Sequence, residues 1–139
     1  MGYAIPVNLS VGDSYVASAT LLTSNDTQRG TDATWTLKKS IQRLPNMAMQ
    51  TQLRFMYDVN SGGGGGAIHC QLKKNGVIIA PQVDDAAGVW ISKTQDVTMT
   101  DCESLDTFEL WVYQTPPMGG LIRNFRIYGT VTVWRNPIT

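Results

Sequence analysis

The sequence predicts an all-β protein: a two-sheet antiparallel sandwich of the jelly-roll or a related Greek-key type, with eight or nine strands. Three observations carry this expectation. Thr, Val, Ile and the aromatic residues make up about a third of the 139-residue chain, and such side chains suit a pleated, half-buried surface. Good helix formers are scarce, with only nine Ala, five Lys and two Glu. Apolar residues also recur at period two in short runs bounded by Gly, Pro, Asn and Asp. No internal repeat or linker divides the chain, so residues 14–139 read as one sandwich domain. Residues 1–13, broken by Pro6 and Gly12, read as an N-terminal arm.

Along the chain, Tyr15, Ala17, Ala19 and Leu21 alternate with Val16, Ser18 and Thr20 in a first strand. SNDTQRGTD (24–32) reads as a polar loop. TWTLKK (34–39) is a second strand, with Trp35 and Leu37 on one face. SIQRLPNMAM (40–49) has room for one helical turn before Pro45 stops it. Leu53, Phe55, Tyr57 and Val59 then alternate with Gln52, Arg54, Met56 and Asp58. Five glycines, 62–66, follow, but the strand pattern AIHC comes next instead of the Lys-Ser/Thr and helix of a phosphate loop. They read as a flexible connection or loop tip.

In QLKKNGVIIA (71–80), Asn75-Gly76 between two strand-like runs marks a two-residue type I′ hairpin. The chain turns again through Asp84-Asp85-Ala86-Ala87-Gly88, and VWIS (89–92) and DVTMT (96–100) read as two short strands. TFELWVYQ (107–114) sets Phe108, Leu110 and Val112 on one face, and Trp111 and Tyr113 on the other. After the loop TPPMGG (115–120), LIRNFRIYGTVTVW (121–134) turns Phe125, Ile127, Val131 and Val133 to the core. Its opposite face carries Asn124, Arg126, Tyr128, Thr130, Thr132 and Trp134.

Charge and chemistry narrow the function. Eleven basic residues balance eleven acidic ones, which argues against a nucleic-acid partner. No apolar run approaches a membrane span, and the N-terminus has neither a charged n-region nor an apolar h-region. Pro6 stands where a myristoylation pattern wants Ser or Thr. A soluble protein made in the cytoplasm is expected. Cys70 and Cys102 read first as buried free thiols, with a disulfide open only in an oxidising compartment. With His69 they supply too few ligands, at no zinc spacing.

His69, the one histidine, falls opposite Ile68, Cys70 and Leu72, so it reads as a surface or interface residue and not as a catalytic base. No G-x-S-x-G elbow is present. The carboxylates Asp84 and Asp85, and Asp101, Glu103 and Asp106, match no calcium loop and read as solvated turns. No catalytic, metal or cofactor-binding residue is expected. The candidates that remain are Trp111, Tyr113, Tyr128 and Trp134, each opposite an aliphatic stripe, together with Trp90. Apolar patches on a low-charge surface mark interfaces or ligand-stacking sites.

From residue 66 to 134, the segments LKKNGVIIA (72–80), DTFELWVYQ (106–114) and RNFRIYGTVTV (123–133) resemble the heads of C1q/TNF-like jelly rolls. Such heads also occur at the tips of phage fibres and on virion surfaces. The resemblance implies a non-catalytic, oligomeric β module. Residues 1–65 lack that family's aromatic opening strands.

Two functions follow as expectations. The first is a non-enzymatic structural protein of a virus particle (capsid, decoration, spike or fibre subunit), found in the virion. It would contact copies of itself, most simply as a trimer, and neighbouring virion proteins. The alternative is a carbohydrate- or receptor-binding sandwich module, in which Trp90, Trp111 and Trp134 stack on a glycan.

The hairpin gives the first prediction. Both turn positions require positive φ, so Gly76→Val destabilises the fold by about 1 kcal/mol or more. Thermal denaturation checks this, and an unchanged midpoint means the turn is not type I′.

Overall fold

The computed structural model describes residues 20–42, 52–98 and 106–129. They form ten strand segments: β1 (Thr20–Asn25), β2 (Arg29–Gly30), β3 (Thr36–Gln42), β4 (Gln52–Asn60) and β5 (Ile68–Lys74), then β6 (Val77–Ile78), β7 (Val83–Asp85), β8 (Ile91–Thr98), β9 (Thr107–Gln114) and β10 (Leu121–Gly129). No helix occurs among the described residues. One sheet runs β1-β10-β4-β8, with β2 also on β10; the other runs β3-β9-β5-β6, with β7 also on β5. All pairings are antiparallel.

β1 and β2 pair with successive stretches of one side of β10, and β6 and β7 do the same on β5. Each pair is therefore one interrupted edge strand. The ten segments occupy eight strand positions, and each sheet interleaves early and late strands as a jelly roll does.

The period-two pattern accounts for the core. Leu53, Phe55, Tyr57 and Val59 of β4 face Ile68, Cys70 and Leu72 of β5 and Phe108, Leu110 and Val112 of β9, all buried. Ile122, Phe125 and Ile127 of β10 complete that layer. The Phe55 ring lies 5.5 Å from Phe108 and 6.2 Å from Phe125, joining the two sheets through aromatic contacts. Cys70 is a free thiol in this core, and burial pushes its pKa up to about 12, so it behaves as a small hydrophobe.

Two bulges shift the alternation. On β10 the register with β4 slips between Arg123 and Arg126, and Asn124 adopts φ 58°. Asparagine tolerates that left-handed conformation, and the extra residue lets both Ile122 and Phe125 face inward. On β3 the register with β9 slips between Leu37 and Lys39. Trp35 and Leu37, before the bulge, share the outer face, while Lys39 beyond it turns inward and is only 2% exposed.

Lysines close both open edges between the sheets. Lys39 of β3 reaches the interrupted β1–β2 edge, donating to Asn25 Oδ1 at 3.0 Å and to the Thr27 carbonyl. Asn25 returns a bond from its side-chain amide to the Ser40 carbonyl at 3.1 Å. Burial holds the Lys39 ammonium below the usual lysine pKa, the direction desolvation dictates. At the opposite edge, Lys93 of β8 meets Asp85 of β7 at 3.0 Å. Beside it, Gln95 donates to the Pro81 carbonyl and accepts from the buried Tyr57 hydroxyl, both at 2.8 Å.

One end of the sandwich is tied by Gln114, whose side chain is fully buried. Its amide donates to the Ser61 carbonyl at 2.8 Å, and its oxygen accepts from Gly120 N at 2.8 Å and from the Thr31 hydroxyl. Three connections thus share one side chain, so none of those buried polar groups is left unpaired.

Several expectations are corrected here. The stretch 24–32 is not wholly loop, because Asn25, Arg29 and Gly30 pair with β10. Residues 40–42 continue β3, while 43–49, the rest of the stretch with room for a helical turn, lie outside the described residues. Val83–Asp85 is a strand segment, and residues 91–98 form one strand where two short ones are expected. The glycine run has an exposed tip at 63–65, but Gly66 is buried, and a Cβ there would stand 2.2 Å from the Pro117 carbonyl oxygen. The arm at 1–13, Cys102, the Asp101 and Glu103 carboxylates, Val131, Val133 and Trp134 lie outside the described residues.

The hairpin forms as expected, with φ 52° at Asn75 and 83° at Gly76. Asn75 also donates to Asp106 Oδ1 and accepts from Thr107 N, both at 2.8 Å, fixing the start of β9. The burial of Phe125 between the sheets generates the second prediction: Phe125→Ala costs about 3–5 kcal/mol in denaturant unfolding. A loss below about 1 kcal/mol would mean that the ring does not pack in the core.

Candidate functional site

The two outer faces of the sandwich differ in chemistry. On the β1-β10-β4-β8 sheet the charged outward residues are paired, with exposed Leu21 and half-buried Met56 and Tyr128 among them. Arg54 makes two bonds to Asp96, at 2.7 and 2.9 Å. Arg126 makes two to Asp26, at 2.9 and 3.2 Å. Asp58 accepts from Ser92, Asn124 and Arg123 at 2.7, 2.9 and 3.3 Å. The guanidinium bonds hold the Asp26 and Asp96 carboxyls below the usual carboxylate range.

The outer face of the β3-β9-β5-β6 sheet carries rings. The register places Tyr113 of β9 opposite His69 of β5, and His69 opposite Asp84 of β7. Tyr113 and His69 stack at 4.3 Å with 20° between their planes. Trp35, just before β3, meets the other side of Tyr113 edge-on at 4.5 Å. Three rings thus run in a row across three neighbouring stretches of chain.

In the adjacent row, Leu37, Trp111 and Gln71 lie in register across β3, β9 and β5. Trp111 is fixed by two charged neighbours. Its indole N–H donates to Glu109 Oε1 at 2.8 Å, and the Lys73 ammonium lies 4.2 Å from its ring centre. Trp35 and Leu37 are 37% and 39% exposed, and Trp111, Tyr113 and His69 are half-buried. The result is a ring platform with polar groups at its rim.

His69 is oriented from the β7 side. Its Nδ1 lies 2.7 Å from Asp84 Oδ1, which also accepts from the Gln82 amide at 2.8 Å. Its Nε2 is buried and has no hydrogen-bond partner. Among the described residues, no group of three or more His, Cys, Asp and Glu side chains is placed to hold a metal ion.

The aromatics singled out from sequence are divided by the fold. Trp111 and Tyr113 come together on the platform. Tyr128 pairs with Arg54 in register on the other sheet, so it faces away. Trp90 carries the Arg123 guanidinium 3.8 Å above its ring, also on that other sheet's side. A single patch containing Trp90, Trp111 and Tyr128 does not form. Trp35 and His69 were not among those candidates. Only the strand register reveals them, because it takes pairing with Tyr113 to bring them together.

No protein-family model and no curated protein matches this chain. Among solved structures it is similar to the carbohydrate-binding module CBM6cm-2 of Cellvibrio mixtus lichenase 5A, solved in complex with cellotriose. That match has 13% identity over 80% of this chain and 99% of the other, with a TM-score of 0.46. It is also similar to the C-terminal CBM6 of LamC, a marine laminarinase from Zobellia galactanivorans. There the identity is 17%, over 84% of this chain and 94% of the other, with a TM-score of 0.43.

The Gln82 bond, and then the His69 bond, hold the Asp84 carboxyl below its ordinary value of 3.8. A carboxyl depressed in the fold contributes stability above its unfolded pKa and loses it as pH falls through the folded value. Asp84 is largely exposed, so the contribution is small. The third prediction is therefore spectroscopic: NMR titration of the Asp84 carboxyl gives a midpoint below 3.8 that rises in Gln82→Ala. A midpoint unmoved by that substitution would contradict the assigned cause.

Proposed function

We propose that this protein is a non-catalytic carbohydrate-binding β-sandwich module whose ligand lies on the outer face of the β3-β9-β5-β6 sheet. The observation that carries the reading is the ring row Trp35–Tyr113–His69 with Trp111 beside it. Sugar rings pair one apolar C–H face with hydroxyls around the edge. The complementary surface is a set of aromatic faces rimmed by polar groups. Gln71, Gln82, Lys73 and Glu109 supply that rim here. On the opposite sheet Arg54, Arg123 and Arg126 are committed to ion pairs, and the rings on that side, Tyr128 and Trp90, lie beside Arg54 and under Arg123.

A second reading is favoured by exposed aliphatics on the same sheet. Leu37 stands beside Trp111, and Val77 and Ile78, 66% and 53% exposed, form the edge segment β6. A face of this kind also suits contact with further copies of the chain. On that reading the protein is a structural subunit of a virus particle.

The two readings part on one substitution. Trp111 is half-buried on the outer face, so Trp111→Ala leaves the core intact. On the carbohydrate reading the protein is monomeric by light scattering and binds members of a panel of immobilised neutral oligosaccharides, including cellotriose, laminaritriose and chitotriose. Trp111→Ala then weakens that binding by on the order of tenfold or more. Absence of binding across the panel, together with an oligomer that Trp111→Ala dissociates, overturns this reading in favour of the structural subunit.

A further inference from the structure

The platform contains one polar atom whose state the fold leaves unresolved. Asp84 Oδ1 lies 2.7 Å from His69 Nδ1 and has no proton of its own to give as a carboxylate. Nδ1 is therefore the donor, and in the corresponding neutral tautomer the lone pair sits on Nε2. Nε2 is buried and has no hydrogen-bond partner. A buried acceptor left unpaired is destabilising, and such atoms are uncommon in native proteins. The residue that carries it belongs to the ring row and not to the hydrophobic core.

The surroundings of His69 are defined on each side. On β7, Asp84 holds Nδ1, with Gln82 bonded to the same carboxylate oxygen. On β9, Tyr113 stacks on the imidazole. On β8, Lys93 is directed to Asp85 and lies 3.5 Å from the Asp84 carbonyl oxygen. These contacts fix the ring at Nδ1 and along one face. Beyond Tyr113 stands Trp35, which is 37% exposed. Charged groups on this face are already engaged: Lys38 with Asp32 at 2.6 Å, Lys73 over Trp111, Glu109 on the indole N–H, and Asp84 on His69. Among the described residues, the charged groups of this face are thus held by partners of their own.

We infer that His69 is the specificity-determining polar residue of the platform: its Nε2 accepts a hydrogen bond from a hydroxyl of an uncharged sugar seated against the ring row. This rests on the carbohydrate reading above. Seating the sugar gives the unpaired acceptor its partner, so the gain is larger than for a hydroxyl that merely exchanges water. A ligand without a donor at that position leaves Nε2 buried and unpaired, which is how the site discriminates.

Two substitutions separate this role from a purely structural one. In His69→Asn the amide reaches the position of Nδ1 and keeps a donor for Asp84, but nothing replaces Nε2. In His69→Gln the longer side chain carries its amide to the position of Nε2. Both lose the stack on Tyr113. Calorimetric titration of wild type and both variants uses whichever of cellotriose, laminaritriose and chitotriose the wild type binds most tightly. The expected result is about tenfold weaker binding in His69→Asn, with His69→Gln restored to within about threefold of wild type. Equal losses in both variants overturn the inference, because they show that only the stack matters. Binding by His69→Asn within about twofold of wild type, while Trp111→Ala loses it, overturns the inference and leaves the platform standing. Failure of the wild type to bind any of the three overturns the carbohydrate reading, and this inference with it.

Discussion

Strand β9 cannot bury Phe108, Leu110, Val112 and Gln114 without standing Glu109, Trp111 and Tyr113 on the opposite side of the sheet. That pleat constraint is the origin of the site. β9 lies between β3 and β5, so each outward residue acquires neighbours on both sides. Tyr113 receives His69, and Trp111 receives Leu37 and Gln71. The inward residues fix the strand in turn. Leu110 and Phe108 pack in the core, and Gln114 ties the end of the strand to the Ser61, Thr31 and Gly120 connections. The platform is rigid to the extent that this buried half of β9 is held.

The rest of the fold divides its polar groups between closure and function. A two-sheet sandwich has two open sides, and each is sealed here by an inward lysine crossing to the interrupted edge strand of the other sheet. Lys39 meets Asn25 and Thr27, and Lys93 meets Asp85. Interrupted edge strands also offer a poor template for further strand pairing, because β2 and β6 are two residues each. On the β1-β10-β4-β8 sheet the outward charges satisfy one another. The rings are concentrated on the other sheet, and this asymmetry is what singles it out.

Most of the architecture was legible in the sequence. The alternations in β4, β5, β9 and β10 gave the core, and Asn75-Gly76 gave the hairpin, because both signals are local. What escaped depends on partners distant in the chain. The bulges at Lys38 and Asn124 shift the alternation by one residue, and only pairing with β9 and β4 reveals them. Asn25, Arg29 and Gly30 look like loop residues and become strand because β10 supplies their partners. Gln114 resembles an ordinary polar strand end until three connections converge on it. For the site, Trp111 and Tyr113 were readable from period two. Trp35 and His69 were not, since their role comes from register with Tyr113, and Tyr128 and Trp90 were separated from them by the sheet to which each belongs.

The central claim is that one outer face of the sandwich binds and the other does not. Backbone amide NMR shifts recorded during titration with a neutral oligosaccharide test it most directly. The account predicts saturable shifts clustered at Trp35, His69, Gln71, Trp111 and Tyr113, with Arg54, Arg123 and Tyr128 unmoved. Shifts centred on the β1-β10-β4-β8 face would contradict it.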